Sequence, residues 1–284
     1  MLLQNNGAIS FSQLRAEFKQ NLQPISMSDL YLNNVNKYTI AVDGIPSTCS
    51  SISISKFYNK AKVKNYSNLV LFLDTKNQSS YSGSGTTWID LSSKANNLVI
   101  SNGSYGNTAG GVINFDGTST FTRIATFNGF TSGNWTAIFW IYATGNFLNG
   151  AQLIGGVMFQ LGRNSTDPDT EVVMYINGMW DYQGGYGFNV VKPTTNINST
   201  AWYQLALIKN GTTCYWYLNG AANGTNTASK NAAYSSNDFC IGKDYRDNNS
   251  FFQGGIAIVM IYNYSMTATE ISDNFTNYRN RYGL

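Results

Sequence analysis

The hydrophobic pattern changes character near residue 65. Beyond it, apolar residues come in short runs broken by Gly, Asn and Ser, the signature of strands and turns. Leu69–Asp74 is a continuous apolar run suited to a strand buried on both faces. Val112–Gly117 reads as a short strand ending in a turn, and Trp135–Tyr142 is rich in the aromatic and β-branched residues that strands favour. Trp202–Lys209 and Thr212–Leu218 flank Asn210-Gly211. That spacing predicts a hairpin with a type I′ turn, which needs positive φ at both central residues. Asn219-Gly220 marks another turn, Val172–Ile176 a further strand and Ile256–Tyr262 a late core strand. The chain closes on a predicted helix. Thr267 and Glu270 form a capping box, and Ile271, Phe275, Tyr278 and Tyr282 follow at helical spacing. The fold class expected is mainly β: an antiparallel β-sandwich of jelly-roll type with a short C-terminal helix.

Before residue 65 the pattern is different. Ile-Ser-apolar-Ser-x-Leu/Phe occurs three times at irregular spacing: Ile9–Leu14, Ile25–Tyr31 and Ile52–Tyr58. In each copy the Ile and the apolar residue two places on share one face of an extended segment. The second Ser (Ser12, Ser28, Ser55) is placed to cap a short helix. After Ser12, Leu14 and Phe18 lie four apart and form a one-sided stripe; the later copies place Leu30 with Tyr31, and Phe57 with Tyr58, after their caps. Asp29 falls in a first turn, where negative charge suits the helix dipole. Each copy is a strand-then-helix hook too short to be stable alone, so it must dock on something. A small irregular α+β arm over 1–64 is expected, followed by a sandwich over 65–284.

Two resemblances follow from these residues. The hooks resemble small modules near the termini of structural proteins of tailed phages and large DNA viruses, which read like ISxSxLRxEF and ISLSDFY. That resemblance implies that residues 1–64 anchor the chain to other virion proteins. The second runs over 66–284. It rests, in order, on Leu69–Asp74, Tyr81–Ser92, Asn96-Asn97, Ile113–Gly117, Trp202–Ala206, Tyr217–Gly220, Ile241-Gly242, Gly254–Ile256, Ile261–Tyr264 and Thr267–Ile271. This succession resembles the concanavalin A-like, laminin G-like lectin/glucanase family and implies that family's sandwich. Ala257 and Ile258 stand where the family's late strand often carries an acid, which speaks against a family-type calcium site relying on it.

Composition narrows the chemistry. The 284 residues suit roughly two domains of about 150 residues, with ample core for either. Charged residues are 12%, against about 25% in an average soluble domain, and Asn is abundant at 36. There is no His, which excludes Ser-His-Asp and Cys-His sites, His metal ligands and imidazole proton shuttles. A net charge of +3 without a Lys/Arg cluster gives no nucleic-acid footprint. Cys49, Cys214 and Cys240 form no Cys-x-x-Cys pair and read as free thiols, with a Cys214–Cys240 bridge as the alternative. The longest apolar runs fall far short of the ~20 residues a membrane span needs. Met1–Asn6 carries neither a basic nor an apolar signal region. Synthesis in a host cytoplasm without a signal peptide, no membrane insertion, and a final place in the virion are therefore expected.

The catalytic candidates are few. Glu occurs only as Glu17, Glu171 and Glu270, and the Glu-x-Asp-x-x-Glu strand of the family's glucanases is missing, so no enzyme is expected. Asp167, Asp169 and Glu171 alternate through an acidic run and form a candidate calcium site; the competing reading is a solvated turn before a strand. No cofactor is otherwise required. Two loops mix aromatic and polar residues, as a sugar site needs. Trp180–Phe188 offers Trp180, Asp181, Tyr182 and Tyr186, and Asp244–Asn249 offers Asp244, Arg246 and Asn248. The competing reading is aromatic packing or a subunit interface. Trp135, Trp140, Trp202 and Trp216 lie in strand patterns and belong to the core. Eleven Asn-x-Ser/Thr triplets barely exceed what the composition gives by chance. The function expected is a virion structural protein, of tail fibre, baseplate or capsid surface, with a lectin-like domain. That domain would adhere without catalysis to a host surface polysaccharide or glycoprotein, as a homo-oligomer. The alternative is a capsid or tail decoration protein making only protein–protein contacts. A glycan-degrading enzyme ranks third.

Overall fold

The structure is a computed structural model. It describes residues 38–40, 62–64, 68–127, 129, 134–143, 156–161, 170–174, 180–184, 197, 201–227, 238–243 and 251–284. The chain divides into two compact units, Met1–Ser67 with Thr276–Asn280, and Asn68–Phe275 with Arg281–Leu284. In the first unit, β1 (Tyr38–Ile40) and β2 (Lys62–Lys64) pair antiparallel, Tyr38 opposite Lys64. The three Ile-Ser hooks lie outside the described residues.

The second unit is two antiparallel sheets. The front sheet has the order β12 (Trp180–Gly184), β11 (Thr170–Met174), β10 (Gly156–Leu161), β16 (Phe239–Ile241), β8 (Phe121–Ile124), β5 (Leu98–Ser101), β4 (Thr87–Trp88). The back sheet runs β15 (Ala221–Thr227), β14 (Thr213–Leu218), β13 (Trp202–Asn210), β9 (Trp135–Ala143), β17 (Gln253–Tyr262), β7 (Val112–Asp116), β6 (Ser104–Gly106). The strand β3 (Leu69–Asp74) pairs with the second half of β17. Among the described residues every strand pairing is antiparallel, and the sandwich expected from the sequence is what forms.

The core fills the space between the sheets. Trp88, Leu98, Ile100, Phe159, Phe239 and Ile241 enter from the front; Trp135, Phe139, Leu205, Leu207, Trp216 and Val259 enter from the back. Phe159 stacks on Phe139 at 5.4 Å and meets the edge of Trp135 at 6.1 Å, an arrangement that suits the ring quadrupoles. The acid Asp90 ties the front to the back. Its carboxylate accepts from the amides of Phe72 and Asn96 at 2.8 Å each and from the Ser92 hydroxyl at 2.7 Å. Asn96 in turn donates to the Val70 carbonyl at 2.7 Å. Asp90, Ser92 and Asn96 thus satisfy buried backbone groups where the strand ladder stops.

The back sheet is buried on its outer face as well. α1 (Ala268–Tyr278) begins at the expected capping box, where the Thr267 amide donates to the Glu270 carboxylate at 2.9 Å. The helix and the turn behind it cover the sheet: Phe275 and Tyr282 stack on Trp140 at 5.8 and 4.5 Å, and Tyr282 meets Trp202 at 4.4 Å. This cover explains why β9, β13 and β17 read as continuous apolar runs rather than alternating ones. Beneath the helix, the Gln204 amide donates to Asn274 at 2.8 Å and accepts from the Gly220 amide at 3.0 Å.

One turn differs from expectation. Leu218 pairs with Ala221 across Asn219-Gly220, whose φ values are +50° and +77°, so the type I′ turn lies there. The other hairpin closes around Gly211-Thr212, with Asn210 opposite Thr213 and positive φ only at Gly211. That is the form with Gly at the first central position.

Candidate functional site

The outer face of the front sheet is open at one place and covered at another: Val99 is 56% exposed, whereas Cys240, two cross-strand steps along the same row, is 2% exposed. Trp88, Leu98, Ile100 and Thr122 point inward and are buried. Strand alternation then places Val99 and Arg123 on the outer face. Pairing runs without a break across the sheet: Thr87, Val99, Arg123, Cys240, Gln160, Glu171 and Gln183 are successive cross-strand partners. From Arg123 to Gln183 this row spans four inter-strand steps, roughly 19 Å.

Arg123 is a fixed polar group of the face. Its Nε donates to both oxygens of Asp238 at 2.9 and 3.2 Å, and its Nη2 donates at 2.7 Å. The Asp238 side chain is nearly enclosed at 9% exposure, while that of Arg123 keeps 31%. The fork geometry makes this pair rigid. Two residues earlier on β8, Phe121 shares the face, and the Lys243 ammonium sits 5.0 Å from its ring centre and 5.2 Å from that of Phe251. Lys243 also pairs with Phe251 in an isolated antiparallel bridge.

The sequence candidates distribute as follows. Trp180, Asp181 and Tyr182, expected in a loop, lie on β12, where they oppose Met174, Val173 and Val172 of β11. The glycines at 184, 185 and 187 that follow hid this short strand, whose partner supplies its register. Tyr186, Asp244, Arg246 and Asn248 lie outside the described residues, as do Asp167 and Asp169. Glu171 is on β11, opposite Gln160 and Gln183. Among the described residues no cluster of three Cys, Asp or Glu suits a metal ion. The start of β12 at Trp180 and the end of β16 at Ile241 lie toward the same end of the sheet.

The grouping that sequence reading missed is Val99, Phe121, Arg123, Asp238 and Lys243. Arg123 and Asp238 are 115 positions apart, so no local spacing announces them.

Asp116 is exposed. Burial acts to raise its pKa, but hydrogen bonds from the Ser119 and Thr118 amides, the Ser119 hydroxyl and the Thr120 amide hold it well below the usual carboxylate range. Burial pushes the Cys214 thiol up to about 12, against the opposing pull of the Lys209 ammonium. Cys214 and Cys240 are both free thiols. No described helix is long and apolar enough to cross a membrane.

Two antiparallel sheets with an interior aromatic core, one face roofed by a helix and one carrying fixed polar groups, define a lectin-like β-sandwich. The chain belongs to the concanavalin A-like lectin/glucanases superfamily, whose family model matches residues 115–272, more than half of its length. No curated protein matches it in sequence. Among solved structures it is similar to the binding domain of Paraclostridial Mosquitocidal Protein 1, with a TM-score of 0.57 and 14% identity, covering 75% of this chain and 53% of that one. The chain thus spans about half the length of that binding domain. It is also similar to domain 4 of AbnA, a GH43 extracellular arabinanase from Geobacillus stearothermophilus, in complex with arabinotriose (TM-score 0.55, 14% identity, 72% of this chain and 97% of that one). A third is Trypanosoma rangeli sialidase (TM-score 0.55, 16% identity, 82% of this chain and 36% of that one). At these identities the likeness is one of fold.

Proposed function

We propose that this protein is a non-catalytic glycan-binding component of a virus particle, with residues 65–284 as the adhesive module and residues 1–64 as its anchor. The observation that carries the binding half is the lectin-like sandwich, shared with a toxin's binding domain and with an arabinanase domain seen with arabinotriose. The virion half rests on the three Ile-Ser hooks and their resemblance to assembly modules. The ligand would be a host surface polysaccharide or glycoprotein, met by several copies of the chain so that weak individual sites add up. The protein would be made in the host cytoplasm and reach the surface by assembly into the particle.

The absence of a catalytic role is part of the proposal. It is supported by the missing acidic strand motif and the lack of His. The test is binding of the full chain to a glycan panel and to host envelopes, with and without chelator, with sugar release assayed in the same wells. Saturable binding that Trp180→Ala weakens, without release, supports adhesion. Release of sugar overturns the non-catalytic reading. Absence of binding throughout leaves the particle-building role alone. Loss of binding in chelator would assign calcium a part, with Asp167, Asp169 and Glu171 as its candidate ligands.

A further inference from the structure

We propose that the outer face of the back sheet binds a neutral glycan beyond the helix, with Tyr142 under a sugar ring and the amides of Gln253 and Asn114 on its hydroxyls. This inference rests on the glycan-binding reading above and adds a place and a ligand class to it. Three observations carry it, of which the first is placement. Ile113, Phe115, Ile141 and Ile256 belong to the core between the sheets. Strand alternation then puts Asn114, Tyr142, Gln253 and Gly255 on the outer face. Gly255 is the cross-strand partner of both Tyr142 and Asn114. Those two residues therefore stand two inter-strand steps apart, roughly 10 Å, with no side chain at the position between them. Gln253 lies diagonal to both, at the roughly 7–8 Å that long side chains bridge. This end of the sheet is open: Asn114 is exposed, and Tyr142 and Gln253 are half-buried.

The second observation is unused hydrogen-bonding capacity. Among the described residues, the Tyr142 hydroxyl and the Gln253 side-chain amide have no hydrogen-bond partner, and the Asn114 amide makes one long bond, to the Ser104 hydroxyl at 3.4 Å. A planar amide donates and accepts at once, which is what neighbouring sugar hydroxyls require. Tyr142 is also held in place. Its ring meets Trp202 at 5.5 Å, and Trp202 meets Tyr282 at 4.4 Å. A ring positioned in this way offers its exposed side to the C–H face of a sugar with little further loss of freedom. The third observation is charge. The ionised neighbour in this register is Asp116, opposite Gln253. Its carboxylate accepts from the Thr118, Ser119 and Thr120 amides at 2.8, 2.7 and 2.9 Å and from the Ser119 hydroxyl at 2.7 Å. Among the described residues no cation pairs with it. An anionic sugar would meet this negative charge, whereas a neutral one would not.

The test uses the full chain with three neutral polysaccharides (dextran, mannan and arabinan) and two polyanions, polygalacturonate and dextran sulfate. At least one neutral polymer should bind and the polyanions should not. Raising the salt should leave that binding unchanged, since no charge pair is there to be screened. Gln253→Ala and Asn114→Ala each remove one amide from the outer face, and each should weaken binding about fivefold. Tyr142→Phe keeps the ring and should weaken it by a similar factor, whereas Tyr142→Ala removes the stacking surface and should weaken it further. Thermal midpoints are followed for every variant, and the two amide variants decide the matter if Tyr142→Ala unfolds the chain. Neutral binding that is indifferent to Gln253→Ala, Asn114→Ala and Tyr142→Phe overturns the proposal while leaving adhesion elsewhere on the chain intact. Binding of the polyanions alone, lost at high salt, also overturns it. Asn114→Arg places a bulky side chain on the face and should block the sugar. If it instead dissociates an oligomer in sedimentation, the face packs against a second copy and the proposal falls. Failure to bind any glycan, neutral or charged, removes the underlying adhesive reading as well.

Discussion

Arg281 offers a direct measure of how the C-terminus holds the sandwich together. Its Nη1 donates to the Asp74 carboxylate at 2.6 Å, its Nε donates to the Ala109 carbonyl at 3.0 Å, and its guanidinium lies 5.1 Å from the Tyr282 ring centre. The two side chains keep only 9% and 14% of their surface exposed. Exposed ion pairs contribute about 0.2–1 kcal/mol, whereas removing one partner of a buried pair costs about 3–5 kcal/mol. Arg281→Met keeps the packed stem but strands Asp74 and the Ala109 carbonyl, so a loss of about 2–4 kcal/mol is expected. For a domain of this size each kcal/mol moves the thermal midpoint by about 2–4 °C, giving a drop of roughly 4–16 °C. All six tryptophans lie in the sandwich, and Trp140 and Trp202 touch Tyr282, so tryptophan fluorescence in a denaturant series reports the transition. Arg281→Met combined with Asp74→Asn removes both charges and should recover part of the loss. A single-variant loss below about 0.5 kcal/mol would mean that solvent screens the pair, and the argument from burial would fail.

Further expectations follow from the same structure. Gly220→Ala should destabilise the sandwich by about 1–3 kcal/mol, since φ is +77° and the new Cβ would lie 2.7 Å from that of Phe275; Gly211→Ala, with φ +57° and open space around it, should cost less, and equal costs in urea melts would refute the steric term. Asp116 has a folded pKa below its unfolded value. The stability it contributes is therefore complete above the ordinary carboxylate range and lost as pH falls through the folded value, so Asp116→Ala should flatten the acid limb of the stability profile. Cys214 is buried with its thiol pushed up to about 12, and Cys240 is buried as well. In a Cys49→Ser background neither should react with a thiol reagent at neutral pH until the chain unfolds, and rapid native labelling would contradict the described burial.

Much of the sandwich was legible in the sequence because the period of its hydrophobic pattern reports burial. Leu69–Asp74 read as a strand buried on both faces, Trp135–Tyr142 as a strand rich in aromatic and β-branched residues and Ile256–Tyr262 as a core strand, and all three lie in the back sheet. The capping box at Thr267 and Glu270 placed the C-terminal helix correctly, because a cap is a local hydrogen-bond pattern. The Asn-Gly pairs show the limit. Asn210-Gly211 and Asn219-Gly220 look alike in sequence, yet only the second adopts positive φ at both residues. There Gln204 accepts the Gly220 amide and donates its own backbone N–H to the Asn219 side chain, fixing the turn from another strand. The front sheet was harder to read. Trp180–Gly184 resembles a loop because it is short and runs into the Gly-rich stretch Gly184-Gly185-Tyr186-Gly187, and β11 supplies its register.

What the amino-acid sequence determined by itself was therefore the local and the periodic: strand and helix placement, the core aromatic residues, the family, and the exclusion of histidine chemistry. What only the tertiary structure decided was which distant residues share a surface. Arg123 and Asp238 meet because β8 and β16 are neighbours in the front sheet, and Lys243 reaches Phe121 for the same reason. Side-chain chemistry is written along the chain, but the register of non-local strands sets which charges face one another, and no spacing in the sequence encodes it.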